Sequence, residues 1–256
     1  MGTTINTLAI IQARMSSTRL PGKVLKLLAG KPVLDHVVRR VQQCKNISKV
    51  VVATSIDESD SIIQSWCEEN KIICYRGSLN DVLDRFYQAA KIYNEKNILR
   101  ITADCPAIDY TILDEVIERH HQGDYDYYGL KGDFPDGLDC TVISYNALSK
   151  AWMNAKLDSE REHVGPYIEN HPELFKLGGY EKFKNLSHLR WTLDEPNDYE
   201  FLKIVFDELY EINNFFGHEL ILDLLKQKPN LNDINNQIIR NEGYLNSIKN
   251  DKIIKL

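Results

Sequence analysis

The sequence predicts an α/β fold, a mostly parallel sheet covered by helices on both faces. Short apolar runs alternate with segments of helical periodicity through the first half of the chain, the pattern of strands joined by helical crossovers. Those runs are apolar on successive residues, as strands buried on both faces require. At 256 residues the chain suits one large domain with a well-buried core.

The elements follow in order. Residues 8–13 (LAIIQA) read as a buried strand. Val33, Leu34, Val37, Val38 and Val41 recur on one helical face, so 32–44 is an amphipathic helix with Pro32 near its start. Residues 49–54 (KVVVAT) are a strand, 59–70 a helix and 71–75 a strand. A helix over 81–94 takes Asn80 or Asp81 as its cap. Residues 97–102 (NILRIT) are the fourth strand, and 109–121 a helix opened by Asp109. The second half is less regular, with strand candidates at 125–129, 139–144, 175–179 and 186–192. Its helix candidates are 146–155, 162–170, 196–210 and 218–226. On this reading residues 1–226 are one domain. Residues 227–256, rich in Asn, Asp and Lys, are a partly helical C-terminal extension.

A formal charge of −6 argues against a general grip on nucleic acid. No apolar run is long enough to span a bilayer, and the N-terminus lacks a basic region followed by an apolar core, so neither a membrane partner nor a signal peptide is expected. The five cysteines are scattered, with no CxxC pair and no zinc spacing. They read as reduced thiols of a cytoplasmic protein.

One stretch departs from the acidic total. "ARMSSTRLPGK", residues 13–23, follows the first strand and gathers Arg14, Arg19 and Lys23, with no acid before Asp35. A strand end, a tight turn and separated cations make a cradle for a polyphosphate: backbone N–H groups and hydroxyls give close contacts, and arginine gives a forked donor. Pro21-Gly22 sets the turn that returns Lys23 to the site. The spacing is neither GxxxxGK[ST] nor GxGxxG, and charge spacing alone fits a solvated basic loop equally well. Two carboxylates close strands, Asp104 in "RITADCPAID" and Asp194 in "RWTLDEPNDYEFL". Either suits magnesium, which takes oxygen ligands and keeps phosphates and waters around it. Alone, Asp104 reads better as a turn residue. Glu195 and Asp198 fit as acids at a helix start. In open parallel sheets ligands gather at the carboxyl ends of strands, where both the loop and Asp104 fall.

Taken together and in order, these segments resemble the cytidylyltransferases that activate acidic sugars. "ARMSSTRLPGK" is similar to the opening motif of the 3-deoxy-manno-octulosonate enzymes, "ITADCP" to their strand-end aspartate motif, and "TLDEPND" to their late motif. "NDVLDRFYQAA" places Asp84-Arg85 where those enzymes carry a TDR triplet. The spore coat polysaccharide biosynthesis protein F group is closer still, adding "FPDGLDCTVIS", "SEREHVGPYI" and the full "LRWTLDEPNDYEFL". The similarity runs from about residue 8 to 210, and Ala103 stands where those motifs commonly have glycine.

The resemblance implies a three-layer nucleotide-diphospho-sugar transferase-like (Rossmann-like) sheet with an irregular antiparallel excursion in the second half. It implies transfer of CMP from CTP to an acidic sugar or related surface-glycan precursor, with Mg2+ and release of pyrophosphate. Carried over, Arg14, Lys23, Asp104 and Asp194 are catalytic, and Asp104 and Asp194 hold the metal. Gln12, Ala13, Arg14, Ser17, Arg19 and Lys23, with Arg76, Ser78, Asp84 and Arg85, face the nucleotide. Asp136, Asp139, Glu160, Arg161, His163 and Arg190 face the acceptor. The implied partners are CTP and a small anionic acceptor, with a homodimer as the corresponding expectation. Two other readings stand beside this one. "DYD" at 124–126 offers the DxD pattern of a nucleotide-sugar-dependent glycosyltransferase, and the same fold serves a non-catalytic nucleotide-binding protein.

Overall fold

The computed structural model describes residues 6–254. β1 (Thr7–Gln12) buries every residue but its last. After the basic loop comes a small hairpin, β2 (Leu27–Leu28) with β3 (Lys31–Pro32). Ala29 and Gly30 form its two-residue turn, both with positive φ, as the turn geometry of tight hairpins demands. Then follow α1 (Val33–Val41), β4 (Ile47–Ser55), α2 (Ser61–Glu69), β5 (Ile73–Gly77), α3 (Val82–Tyr93), β6 (Asn97–Thr102) and α4 (Tyr110–Gly123). The second half contains β7 (Tyr127–Leu130), β8 (Thr141–Ser144), α5 (Tyr145–Asn154), α6 (Asp158–His163), α7 (Pro166–Glu169), β9 (Leu177–Tyr180), α8 (Pro196–Leu209), α9 (His218–Gln227) and α10 (Glu242–Lys249).

The main sheet has seven strands in the order β5-β4-β1-β6-β8-β7-β9. β5, β4, β1 and β6 are mutually parallel. β8 runs antiparallel to both its neighbours, and β9 pairs parallel with β7. That one reversed strand is the antiparallel excursion. The chain leaves β1 for β4 and β5, then returns to the other side of β1 to form β6. The crevice between the carboxyl ends of β1 and β6 is therefore a topological switch point, the place where such sheets take ligands.

Two apolar layers flank the sheet. Ile11, Val37, Val52, Leu99, Trp191 and Phe206 belong to one, and Leu8, Ile10, Val51, Phe86, Ile98 and Ile143 to the other. Successive strand residues divide between the faces, as the pleat requires. Each such side chain contributes about 1.5–3 kcal/mol when fully buried. Asp109 joins two helices of the first layer by capping. Its Oδ1 accepts from Thr111 N at 2.9 Å, and its Oδ2 from His218 N at 2.9 Å and from the His218 ring at 2.6 Å. One carboxylate thus serves the starts of α4 and α9, and it is held below the ordinary carboxylate range because those bonds outweigh its burial.

Two expectations are corrected. Residues 186–192 form no strand; they make a single parallel bridge, Asp136 to Arg190. The segment opposite contains Pro135 and Gly137, and Gly137 has a φ of +103°, so no ladder extends. A Cβ at Gly137 would lie 2.5 Å from the Trp191 carbonyl carbon. The expected helix at 162–170 is two helices, α6 and α7, split where Val164 takes a φ of +69° and Pro166 opens the second, a residue that cannot continue a preceding helix. The segment after Gln227 folds back on the body. Its short 3-10 turn, Pro229–Ile234, buries Leu231, Asn235 is buried beyond it, and α10 packs on α6.

Candidate active site

The basic loop is held by residues outside itself. Ala13 N–H donates to Ala53 O at 3.1 Å, extending the β1–β4 pairing. Met15 N–H donates to Asp60 Oδ1 at 2.7 Å, and Asp60 Oδ2 accepts from Ser55 N and Oγ. Asp60 is completely buried. Gly22 N–H returns to Met15 O at 3.1 Å. With a φ of +69°, glycine here costs no strain, and the chain enters the 3-10 turn Lys23–Leu25.

That turn sends Lys23 back beneath the loop. Its Nζ lies 2.6 Å from Asp104 Oδ2 and 2.7 Å from Asp194 Oδ1. Asp104 follows the end of β6, whereas Asp194, expected at a strand end, lies in the irregular segment just before α8. The backbone ties the two together, with Ala103 N–H donating to Gln12 O at 2.9 Å and Leu193 N–H to Asp104 O at 2.8 Å. Burial opposes the charge on Lys23, but the two carboxylates more than offset it and raise the ammonium above its ordinary value. Burial likewise works against the Asp104 carboxylate, and the charge and hydrogen bond of Lys23 override it, holding the group at about 2.

Asp194 is set by a buried network. Arg190 donates from Nε to Asp198 Oδ1 and from Nη2 to Asp198 Oδ2, both at 2.9 Å. Its Nη1 reaches Asp136 Oδ2 at 2.7 Å, and Nη2 also meets Asp194 Oδ2 at 3.3 Å. Asp198 caps α8 by accepting from the backbone N–H groups of Asp194 and Glu195. Burial and the facing Asp139 push the Asp136 carboxyl up to about 7, against the pull of Arg190 and Arg240.

A continuous cleft lies over these groups. Its outer chamber, about 600 Å³, is lined by the loop from Gln12 to Lys23, by Asp104 and Asp194, and by Glu242, Gly243 and Asn246 of the C-terminal segment. An inner chamber of about 260 Å³ shares Gln12, Arg14, Arg19, Asp104 and Asp194 with it and adds Arg100, Asp136, Asp139, His163 and Tyr244.

The structure brings together Gln12, Ala13, Arg14, Ser17, Arg19, Lys23, Asp104 and Asp194 in the outer chamber, and Asp136, Asp139 and His163 in the inner one. The remaining candidates line neither. Arg76 ties β5 to the turn before α2, donating to Ser55 O, Asp57 O, Ser61 Oγ and Gln64 Oε1. Ser78 accepts from Asp81 N, and Asp84 accepts from Trp152 Nε1 and Gln88. Arg85 is fully buried with its three guanidinium nitrogens unpartnered among the described residues; burial, then the Arg14 charge, lower it to about 10. Glu160 accepts from Lys156 N and Leu157 N ahead of α6. Arg161 is committed to Asp81 and to Trp152 O, and Arg190 to the aspartates just described.

Four contributions escape a reading of the sequence. Asp60 anchors the loop from the far side of β4. Glu162, not Glu160, faces the cleft and pairs with Arg14 at 3.7 Å. Arg100 projects from mid-strand, signalled only by a charge between Leu99 and Ile101. Glu242 of α10 meets Arg19 Nη1 at 3.0 Å, and nothing in its surrounding sequence signals that.

Asp104 and Asp194 fit a magnesium ion. Both are hard oxygen donors facing a cleft, and magnesium is commonly held by one or two carboxylates with substrate phosphates completing its shell. No group of three or more His, Cys, Asp or Glu residues among the described residues is placed to hold a metal by itself. No helix among them is long and apolar enough to cross a membrane.

Positive charge gathered to meet a polyphosphate, opposite paired carboxylates at a switch point, is what transfer of a nucleotidyl group demands; fold and site together define a nucleotidyltransferase. Within that class the chain belongs to the cytidylyltransferase family, whose model, described as Cytidylyltransferase, matches residues 8–229. The spore coat polysaccharide biosynthesis protein SpsF of Bacillus subtilis is 38% identical over 231 residues, covering 87% of this chain and 95% of that one. A 3-deoxy-manno-octulosonate cytidylyltransferase of Hydrogenovibrio crunogenus is 31% identical over 157 residues, 60% of this chain and 59% of that one. The solved structure of a cytidylyltransferase from Leptospira borgpetersenii superposes with a TM-score of 0.84 at 33% identity, over 91% of this chain and 98% of that one. The protein is a CTP-dependent nucleotidyltransferase.

Proposed function

We propose that this enzyme moves CMP from CTP to an acidic sugar or a related surface-glycan precursor, with Mg2+ and release of pyrophosphate. The observation that carries the reading is the Lys23 ammonium bridging Asp104 and Asp194 beneath the basic loop. The similarity to SpsF and to an octulosonate cytidylyltransferase supports the acceptor class.

In this reading Arg14 and Lys23 hold the triphosphate, and Arg19 supports the loop and its phosphates. An acceptor hydroxyl gives up its proton to water as its oxygen attacks the α-phosphorus, the bond to the β-phosphate oxygen breaks, and the electron pair leaves with pyrophosphate. Lys23 and Arg14 offset that growing negative charge in a fixed geometry, which is where such enzymes gain most of their rate. Asp104 and Asp194 would hold the magnesium ion, which when bound neutralises phosphate charge and lowers the pKa of a hydroxyl. Asp136, Asp139 and His163 face the acceptor. Burial, with the charges of Arg100 and Arg14, keeps His163 below its ordinary value against the pull of Glu162, so at neutral pH its ring acts as a hydrogen-bonding group.

The glycosyltransferase reading loses its support. Asp126 accepts from Ser144 Oγ and Lys176 N, and Asp124 is the left-handed C-cap of α4. Both line a separate cavity beside Asn97, where β6 begins, at the opposite edge of the sheet from Lys23.

The test is pyrophosphate release with Mg2+, each of the four nucleoside triphosphates, and a panel of acidic sugars and small phosphorylated acceptors. Release with CTP and an acidic sugar is expected. CTP turnover only with uncharged acceptors refutes the acceptor class, and failure to bind CTP refutes the reaction.

A further inference from the structure

The inner chamber contains a cation whose donors are unspent. Arg100 lies in the middle of β6, a central strand, between β1 and β8. Ile98, Arg100 and Thr102 share one face of that strand. Ile98 packs into the apolar layer, while Arg100 lines the inner chamber. Its Nε is buried without a hydrogen-bond partner, and among the described residues it forms no ion pair. The residue is half-buried: only Nε is enclosed, and the two Nη groups stay open at the cleft. The fork is therefore free to take a ligand, and the enclosed, unpartnered Nε makes one favourable.

The neighbouring arginines are already engaged. Arg190 serves three aspartates, Arg161 holds Asp81, and Arg19 meets Asp194, Glu195 and Glu242. Arg14 keeps one loose contact with Glu162 and lines the outer chamber as well. Arg85, the other unpartnered guanidinium near the loop, lines neither chamber.

We propose that Arg100 is the specificity-determining residue that binds the anionic group of the acceptor, and that the C-terminal segment at Ile239, Asn241 and Tyr244 walls the pocket around it; this rests on the nucleotidyl-transfer reading above. A guanidinium fork matches a carboxylate or a phosphate. The chamber is continuous with the one over Lys23, sharing Asp104 and Asp194 with it, so an acceptor held at Arg100 reaches the carboxylates of the reacting centre. Asp136 and Asp139 line it too and offer hydrogen-bond partners to sugar hydroxyls. Ile239, Asn241 and Tyr244 line this chamber and not the outer one, and they lie beyond the family match, which ends at residue 229. Acceptor choice therefore depends on a part of the chain outside the family match.

The experiment measures binding to the full chain saturated with a non-hydrolysable CTP analogue and Mg2+. The probes are 3-deoxy-manno-octulosonate and, separately, inorganic phosphate. Arg100→Gln is expected to weaken at least one of them by about tenfold or more, the loss of a charge-assisted hydrogen bond. Arg100→Lys, which keeps the charge and loses the fork, falls between, and both variants bind the CTP analogue within about twofold of the parent. Loss confined to octulosonate assigns the anion as a carboxylate, and loss confined to phosphate assigns it as a phosphate. Tyr244→Ala is expected to shift affinity for the affected probe while leaving the CTP analogue unchanged. Unaltered affinity for both probes in Arg100→Gln and Arg100→Lys, or binding of neither probe to the parent, overturns the assignment. An equal loss of CTP-analogue affinity moves Arg100 to the nucleotide side and also overturns it. A parent chain that does not bind the CTP analogue fails the nucleotidyl reading instead, a separate result.

Discussion

Arg190 grips the carboxylate of Asp198 through two parallel bonds of 2.9 Å. Asp198 is completely buried and also accepts from the backbone N–H groups that follow Leu193. Asn235, from the C-terminal segment, completes the knot by donating to Asp198 Oδ1 and to Arg190 O. The pair joins the start of α8 to the 136–139 turn and orients Asp194 between them. Breaking a buried ion pair by removing one partner costs about 3–5 kcal/mol, because the other charge stays buried. Asp198→Ala is therefore expected to lower unfolding stability by about that amount and to reduce turnover through a loosened Asp194. Urea unfolding and pyrophosphate release on the same sample test this; unchanged stability would show that Arg190 finds another partner.

Lys23 makes the site dependent on pH in a defined direction. Asp104 is held at about 2 against an ordinary 3.8, so its contribution is fully present above 3.8 and is lost as pH falls through 2. Lys23 is raised above 10.5, so its contribution is present below 10.5 and is lost as pH climbs through the higher folded value. Between those limits the cluster is fully formed. In Lys23→Ala the Asp104 carboxyl loses the charge that depresses it, and its titration moves upward. Carboxyl NMR of Asp104 in both proteins reads this directly. The same variant is expected to raise the KM for CTP more than that for the acceptor; a change confined to the acceptor would remove Lys23 from the triphosphate.

Asp194→Ala separates chemistry from folding. The side chain is 24% exposed, and its cationic neighbours keep other carboxylates: Lys23 keeps Asp104, Arg190 keeps Asp136 and Asp198, and Arg19 keeps Glu195 and Glu242. Turnover is expected to fall by about a hundredfold or more, the scale of losing one preorganised electrostatic group, with the melting transition nearly unmoved. Near-normal turnover would exclude Asp194 from the metal site.

What the sequence discloses and what it hides divide along physical lines. The parallel half was legible because buried strands and amphipathic helices write their periods into consecutive residues: β1, β4, β6 and α1 through α4 fall where their patterns place them. The 186–192 segment misleads because its apolar residues are buried by packing, Leu189 and Trp191 lying in the core, while its backbone meets a turn. The cradle, Asp104 at the end of β6 and Asp194 ahead of α8 lie in short local motifs. Arg161 and Arg190 read as ligand donors because sequence reveals charge and not partners; each is occupied by an acid at least eight positions away. Asp60, Arg100 and Glu242 reach the site only through the fold, from the far side of β4, mid-strand and the last helix.

Arg19 provides the remaining prediction. Its guanidinium meets Glu242 at 3.0 Å and also Asp194 and Glu195, both at 3.2 Å. If Arg19 supports the phosphates, Glu242 competes with them for the same donors. The pair is partly exposed, 31% and 42%, so its own worth is small, about 0–1 kcal/mol. Glu242→Gln keeps the shape of the side chain and removes its charge. It is expected to tighten CTP by up to about fivefold, the equivalent of that energy, and to do so more strongly at low salt than at high, because exposed pairs are screened. Stability should change little. Titration of CTP against both proteins at two ionic strengths reads the effect. Weaker CTP binding in Glu242→Gln would mean that the carboxylate instead orders Arg19 for its ligand, making α10 a support of the nucleotide site rather than a competitor for it.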